Sequence, residues 1–326
     1  MNNYAALRTD AHLHPRTQAL LDIQYLPELG VGINFQKSLS SLLAKGSSLI
    51  DFVEFNPTDL CTWQERHDCW RLEPSDPMVE QFFRSTAGLP KVVHGETLSL
   101  GSVSGWNKAY LRAMDSVADR EEIAWHSEHL GFLNVTTTDG EHYHAGSILP
   151  LPFCEESLNL LVPRIKALIN RYQRPFLLEN TAFYLPGIDG FGMDEVDFFN
   201  ALAERVGEGF GILLDLYNFH CNAVNFNTNP WEKLAKLDKS RVVEVHLAGG
   251  CNLQGMEINN RSNHTPEPVW ELLEALLPDA MNLKALVFEC PEVALGQFSE
   301  TDVLRNLERA NSHWRHRVTR TQREVV

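Results

Sequence analysis

The sequence predicts a single-domain α/β protein folded as a TIM (β/α)8 barrel, and three observations predict it. Eight short, β-rich segments recur along the chain, at 30–35, 50–55, 91–96, 122–130, 175–180, 211–218, 242–249 and 285–290. Each is near-continuously apolar and too short for a helix, as expected of parallel strands buried on both faces. Amphipathic stretches at 38–45, 107–119, 155–172, 194–206, 268–277 and 302–310 lie between them. Strand and helix therefore alternate with the rhythm of an eightfold barrel. Finally, all but the first segment carry His, Asp or Glu toward their carboxyl ends, the end at which barrel active sites are built.

Taken in order, residues 1–29 mix Pro, His and polar groups and read as an N-terminal arm ahead of a barrel domain at 30–312. The first segment, GVGINF, brings no ionisable group. The second, IDFVEF, puts Glu54 at the rim and is followed by an excursion to Pro77 that contains Trp63 and Trp70. The third ends on His94-Gly95, where a glycine permits close approach of a backbone or ligand. In the fourth, period-2 alternation sets His126 and Glu128 on one face and Ser127 and His129 on the other, so only one histidine points inward unless the strand bulges. The long stretch 131–152 follows, and its Asp139-Gly140 pair predicts a hairpin turn projecting over the mouth. Segment five supplies Glu179 and Asn180, segment six Asp215 and Asn218, and segment eight Glu289. Segment seven supplies His246 before a glycine pair, with Glu244 deeper on the same face and placed to hold that imidazole by a hydrogen bond. His264, just before the helix at 268–277, is positioned to fold back over the rim. The basic segment 313–326 lacks an apolar stripe and reads as a frayed C-terminal tail.

Composition narrows the function. A chain of 326 residues, 44% hydrophobic and 22% charged, suits one globular domain of barrel size. A net charge of -15 argues against nucleic acid as a partner, since binding it needs clustered Lys and Arg. No apolar run approaches membrane-spanning length and no basic-then-apolar signal opens the chain, so no membrane segment and a cytoplasmic location are expected. Six cysteines without a CxxC pair read as reduced thiols, with Cys221, Cys251 and Cys290 near the rim.

The rim groups are Glu54, His94, His126, Glu128, His129, Glu179, Asp215, His246 and Glu289, with no Lys or Arg at the strand ends. Carboxylates and imidazoles gathered in this way need a compensating cation, most simply a metal. Any one buried histidine is more often a satisfied core residue than a ligand; their joint occurrence at one end of one barrel reverses that expectation. The ligand candidates are His94, His129, Glu179, Asp215, His246, His264 and Glu289, supported by Glu128, Asn180, Asn218 and Glu244. A single catalytic zinc needs only about three protein ligands, so this set points to two or three ions bridged by carboxylates. Imidazole and carboxylate without thiolate suit iron, manganese or zinc. His142 and His144 in the long hairpin read as solvated.

The ordered motifs HGE at 94–96, SEHL at 127–130, LPLPFCEESL at 149–158, LLEN at 177–180, LLDLYN at 213–218, HLAG at 246–249 and FEC at 288–290 resemble one family. It is that of the multinuclear non-heme iron-dependent oxidative enzymes, similar to the methanobactin and thiaglutamate peptide-maturation oxidases. The resemblance spans roughly residues 30 to 300 and implies a TIM barrel holding two or three iron ions in mixed Fe(II)/Fe(III) states, with O2 as co-substrate. It implies as substrate a ribosomally made precursor peptide, modified at Cys or at Asp or Asn, often with a small partner protein that captures the leader. Position by position it makes His94, His129, Glu179, Asp215, His246, His264 and Glu289 the metal ligands, with Asn180 and Asn218 beside them. Three departures leave two against three metals open. Ser262-Asn263-His264 stands where the family shows Asp-x-His, Pro291 stands where an acidic residue is frequent, and Thr58 lies near the place of a second glutamate.

Two other metalloenzyme readings remain. Asp10-Ala11-His12-Leu13-His14 suggests a barrel metallohydrolase, although the preceding residues make a poor strand and would add a ninth. Sugar-phosphate enzymes of the xylose-isomerase or endonuclease kind use similar rims, but phosphate calls for nearby Lys or Arg. A catalytically inactive peptide-binding protein is the third alternative, motivated by Ser262 and Pro291.

Overall fold

Eight strands form in the expected places in the computed structural model, which describes residues 21–44, 48–64, 69–71, 76–137, 139, 141–185, 187, 191–290 and 299–324. They are β1 (Gly30–Asn34), β2 (Phe52–Phe55), β3 (Lys91–Gly95), β4 (Ile123–His129), β5 (Phe176–Glu179), β6 (Phe210–Asp215), β7 (Val242–Leu247) and β8 (Ala285–Phe288). Each pairs in parallel with the next, and β8 closes on β1. The helices are α1 (Ser40–Ala44), α2 (Pro77–Ser85), α3 (Lys108–Ala118), α4 (Glu155–Tyr172), α5 (Glu195–Val206), α6 (Leu216–Asn225), α7 (Pro230–Lys236), α8 (Glu267–Leu276) and α9 (Glu300–Glu324). Side-chain caps fix where several begin. Asp76 accepts from Met78 N ahead of Pro77, Asn107 from Ala109 N, and Asp194 from Asp197 N, each satisfying an otherwise unpaired helix donor.

Strand alternation sets the site. Phe52, Val92, Trp125, Leu177, Leu213 and Val287 belong to one buried cluster that fills the barrel. Two residues further along the same strands, on the same inward face, come Glu54, His94, Ser127, Glu179, Asp215 and Glu289. The apolar plug thus becomes the floor of a polar chamber. In β7 the register against β6 jumps from Ile212↔Val242 to Leu213↔Glu244, a bulge that leaves Glu244 and His246 both facing in.

Three features differ from the sequence-based expectation. The segment 211–218 is not one strand, because β6 stops at Asp215, whose side chain accepts from Asn218 N at 2.7 Å and starts α6. Leu213, Leu214, Leu216 and Tyr217 are all buried, so burial alone conceals the change from strand to helix. Residues 313–324 are not frayed but continue α9, which is anchored by the buried apolar stripe of Val303, Leu307, Ala310 and Trp314. A hairpin of Cys251–Leu253 and Met256–Ile258 follows β7, alongside the expected one of Phe132–Thr136 and His142–Leu149 after β4. The Asp10–His14 motif and Pro291 lie outside the described residues. Among the described residues no helix is long and apolar enough to cross a membrane.

Candidate metal centre

Glu179 is the hub of the chamber. Its Oε2 lies 3.1 Å from His94 Nε2 and 3.0 Å from His129 Nε2, and its Oε1 lies 3.8 Å from His246 Nδ1. His246 then links to two further carboxylates, with Nδ1 3.5 Å from Glu289 Oε1 and Nε2 3.0 Å from Glu54 Oε2. These atoms compose two ligand groups, His94 with Glu179 and His246, and Glu54 with His246 and Glu289, each within 4.8 Å.

The backbone decides which nitrogen each imidazole presents. Ser127 Oγ donates to Val93 O at 3.1 Å, so its hydroxyl accepts from His94 Nδ1 at 2.9 Å. His129 Nδ1 donates to Gly95 O at 3.1 Å. Both rings therefore turn Nε2 toward Glu179, the orientation that a neighbouring hydrogen bond imposes on metal-binding histidines.

His94 Nε2, Glu179 Oε2, His246 Nδ1 and Glu289 Oε2 are buried and make no hydrogen bond of good geometry. Buried polar atoms are rarely left so. The nitrogen–oxygen distances from His94, His129 and His246 to Glu179, 3.0 to 3.8 Å, are those of ligands sharing one ion at bond lengths of about 2.1 Å. The donor set fits a metal. Electrostatics agree. Burial opposes charge on His94, but Glu54 and Glu179 outweigh it and raise its pKa to about 9; His246 is raised well above the usual value against the same penalty by Glu54 and Glu289. Burial also disfavours ionised Glu179, yet His129 and His94 hold it down at about 2. In the metal-free chain, protons on His94 and His246 stand in for the cation, whereas burial lowers the pKa of His129.

Asp215 joins neither ligand group among the described residues. Its Oδ1 accepts from Asn218 N and its Oδ2 from Asn259 Nδ2 at 3.2 Å. Asn180 binds the backbone of Asp215 reciprocally, at 3.0 and 2.8 Å, and Asn218 reaches Glu179 Oε1 at 3.4 Å. Burial, with Glu289 and Glu179 adding, pushes the Asp215 carboxyl well up.

Other sequence expectations resolve differently. His264 is exposed and faces α9, with Nε2 3.3 Å from Asp302 and Nδ1 accepting from Asn306 at 2.8 Å. The carbonyls of 263–264 press on Gly249, where a Cβ would collide with them; the loop does reach the rim, but its imidazole turns away. His126 and Glu128 face the helices, as alternation predicts. His126 Nε2 meets Tyr110 Oη at 3.1 Å, and burial with nearby His94 lowers its pKa to about 3. Burial raises Glu128 to about 8 beside the same tyrosine. Glu244 does not hold His246. It accepts from Trp125 Nε1 at 2.7 Å, and burial, then Glu54, raises it to about 8.

Glu54, expected at the rim but not among the ligand candidates, joins a ligand group, and Arg261 is a site residue the sequence reading does not contain. Glu54 is marked by the same alternation as Glu179, two places beyond an apolar plug residue. Arg261 corrects the expectation of a rim without cations. It enters from the loop after the second hairpin and places Nη2 2.8 Å from Glu289 Oε1. It lines two cavities, one of about 360 Å³ bordered by His129, Glu179, Asp215, Asn218 and Asn259, and one of about 120 Å³ bordered by Glu54, His94, Asp59 and Glu289. Nothing in the sequence of a polar loop signals such a reach.

Comparison with known proteins places these motifs. The sequence model of the family described as RiPP precursor modification enzyme MbnB/TglH/ChrH matches residues 30–296. A UPF0276 protein of Pseudomonas aeruginosa is 29% identical over 288 residues, covering 86% of this chain and 93% of that protein. A UPF0276 protein of Caulobacter vibrioides is 31% identical over 228 residues, covering 70% and 74%. Among solved structures, D-psicose 3-epimerase from Clostridium cellulolyticum superposes with a TM-score of 0.53 at 10% identity, covering 88% of this chain and 98% of that one. Endonuclease IV from Thermus thermophilus gives 0.50 at 19%, covering 88% and 99%. At such identities these neighbours share the barrel fold alone.

Proposed function

We propose, from the premise that this chain belongs to the RiPP precursor modification enzyme family MbnB/TglH/ChrH, that it is a cytoplasmic, multinuclear non-heme iron oxidase or oxygenase. It uses O2 to modify a Cys, or an Asp or Asn, of a ribosomally synthesised precursor peptide, with a small leader-binding protein as a possible companion. The observation that carries this reading is the buried set of orphaned imidazole and carboxylate atoms around Glu179.

His94, His129 and Glu179 would hold one iron, Glu54 and Glu289 a second, and His246, which stands between the two groups, would ligate one of them. Bound iron supplies the one-electron chemistry and the site for O2 that protein side chains lack. The chain does the rest. Ser127 and the Gly95 carbonyl hold the imidazoles in their ligating tautomer. Asn218 steadies Glu179. The cavity of about 360 Å³ is of a size that holds a small substrate group. Asn259 Oδ1, buried without a hydrogen-bond partner, and Thr181 Oγ1, whose proton goes to Leu130 O, are acceptors in its wall for the N–H groups of an extended peptide, and the hairpin residue Ile148 borders it.

Coexpression with candidate precursor peptides tests the reading. An O2-dependent change in peptide mass is expected from the wild type and none from His246→Ala. A metal-replete, fully active His246→Ala would overturn the site assignment.

A further inference from the structure

We propose that Arg261 is a built-in counter-cation that keeps the Glu54, His246 and Glu289 position closed to a second metal ion until its guanidinium withdraws. The inference rests on the metal-centre reading above and adds an order of loading to it. Arg261 Nη2 lies 2.8 Å from Glu289 Oε1, and that same oxygen lies 3.5 Å from His246 Nδ1. Glu289 is fully buried, so the guanidinium is its direct source of positive charge besides the imidazole. An ion in this position would bond Glu289 at about 2.1 Å, and two cations cannot occupy one face of one carboxylate without strong mutual repulsion.

The other position is built differently. Around Glu179 stand His94 Nε2, His129 Nε2 and His246 Nδ1, and among the described residues no Lys or Arg is paired with that carboxylate. The two positions are therefore unequal: the carboxylate of one is met only by imidazoles, and that of the other is already held by an arginine that an ion must displace. Displacement has a route. Arg261 is the one Lys or Arg among the described residues lining either cavity and it lines both; its side chain is 30% exposed. Its backbone sits in the left-handed region, at φ 55°, uncommon for a residue with a Cβ. Asp215 borders the larger cavity, so a carboxyl group lies there for the withdrawn guanidinium to meet.

The test is an anaerobic titration of chelator-stripped full-length protein with Fe(II), read by calorimetry, and with Co(II), read by d–d absorption. The wild type is expected to take one ion tightly and a second weakly. Arg261→Met should tighten the second by about tenfold or more, the equivalent of losing one competing charge-assisted hydrogen bond, and leave the first unchanged. Arg261→Lys, which keeps the charge, should stay near wild type. If Arg261→Met does not fold, Arg261→Gln carries the same expectation. A second-ion affinity that is unchanged or weaker in the neutral variants overturns the inference while leaving the metal centre intact. Absence of any binding to the wild type removes the metal-centre reading, and this inference with it.

Discussion

His94 and Ser127 face each other across β3 and β4 at 2.9 Å, and the serine proton is already given to Val93 O. The hydroxyl can therefore only accept from Nδ1, which leaves Nε2, turned toward Glu179, as the nitrogen that gives up its proton and offers its lone pair to a metal. Ser127→Ala should fold normally yet bind the first metal ion about 10- to 100-fold more weakly, the usual cost of losing such a support. Calorimetric titration of the stripped variant measures it, and wild-type affinity would show that the hydroxyl does not orient the ring.

Metal-free protein should lose stability as the solution becomes more alkaline. The His94 pKa is raised to about 9 from an ordinary 6.5, so its contribution is fully present below about pH 6.5 and lost as pH rises through 9. Glu128 and Glu244, each at about 8, also keep protons that the unfolded chain has released, and add to the same trend up to that pH. Chemical denaturation between pH 6.5 and 9 is expected to show a falling midpoint for the stripped protein. Metal-loaded protein should fall less, since the ion replaces the His94 proton, and metal uptake should release protons in this range.

Gly95 has no space for a side chain. A Cβ there would collide with the Glu128 carboxyl and the Tyr110 hydroxyl, both held in a buried network with His126. Gly95→Ala should cost about 1–3 kcal/mol of folding stability by overpacking, read from urea unfolding. A neutral result would mean that the network yields easily.

The two histidines of the distal segments should separate cleanly. His246→Ala is expected to lose bound metal, because both ligand groups contain that ring. His264→Ala should retain it, because its imidazole pairs with Asp302 and Asn306 on α9. Metal analysis of the two purified variants decides, and loss of metal from His264→Ala would mean that the loop rearranges when loaded.

What the sequence reveals follows from strand periodicity. Leu177 and Glu179, or Val92 and His94, show plug and ligand two places apart on one strand, and this pattern places the chamber before any coordinates. The same rule covers Phe52 and Glu54, so Glu54 was within reach of the sequence. Positions fixed by loops were not. Arg261 and Asn259 arrive from beyond a hairpin with three-residue strands, and the direction of His264 depends on the contact of its backbone with Gly249. Glu244 was placed on the correct face, but its partner depends on the bulge in β7 and on Trp125 from a distant strand. The change from strand to helix at Asp215 hides in a run of residues that are buried in either state.

Metal content per chain, measured together with Mössbauer spectra on anaerobically purified protein, tests the central claim most directly. Two irons, or three, with coupled ferric and ferrous signals are the expected result. Stoichiometric zinc without iron, persisting after growth in iron-rich medium, would contradict it.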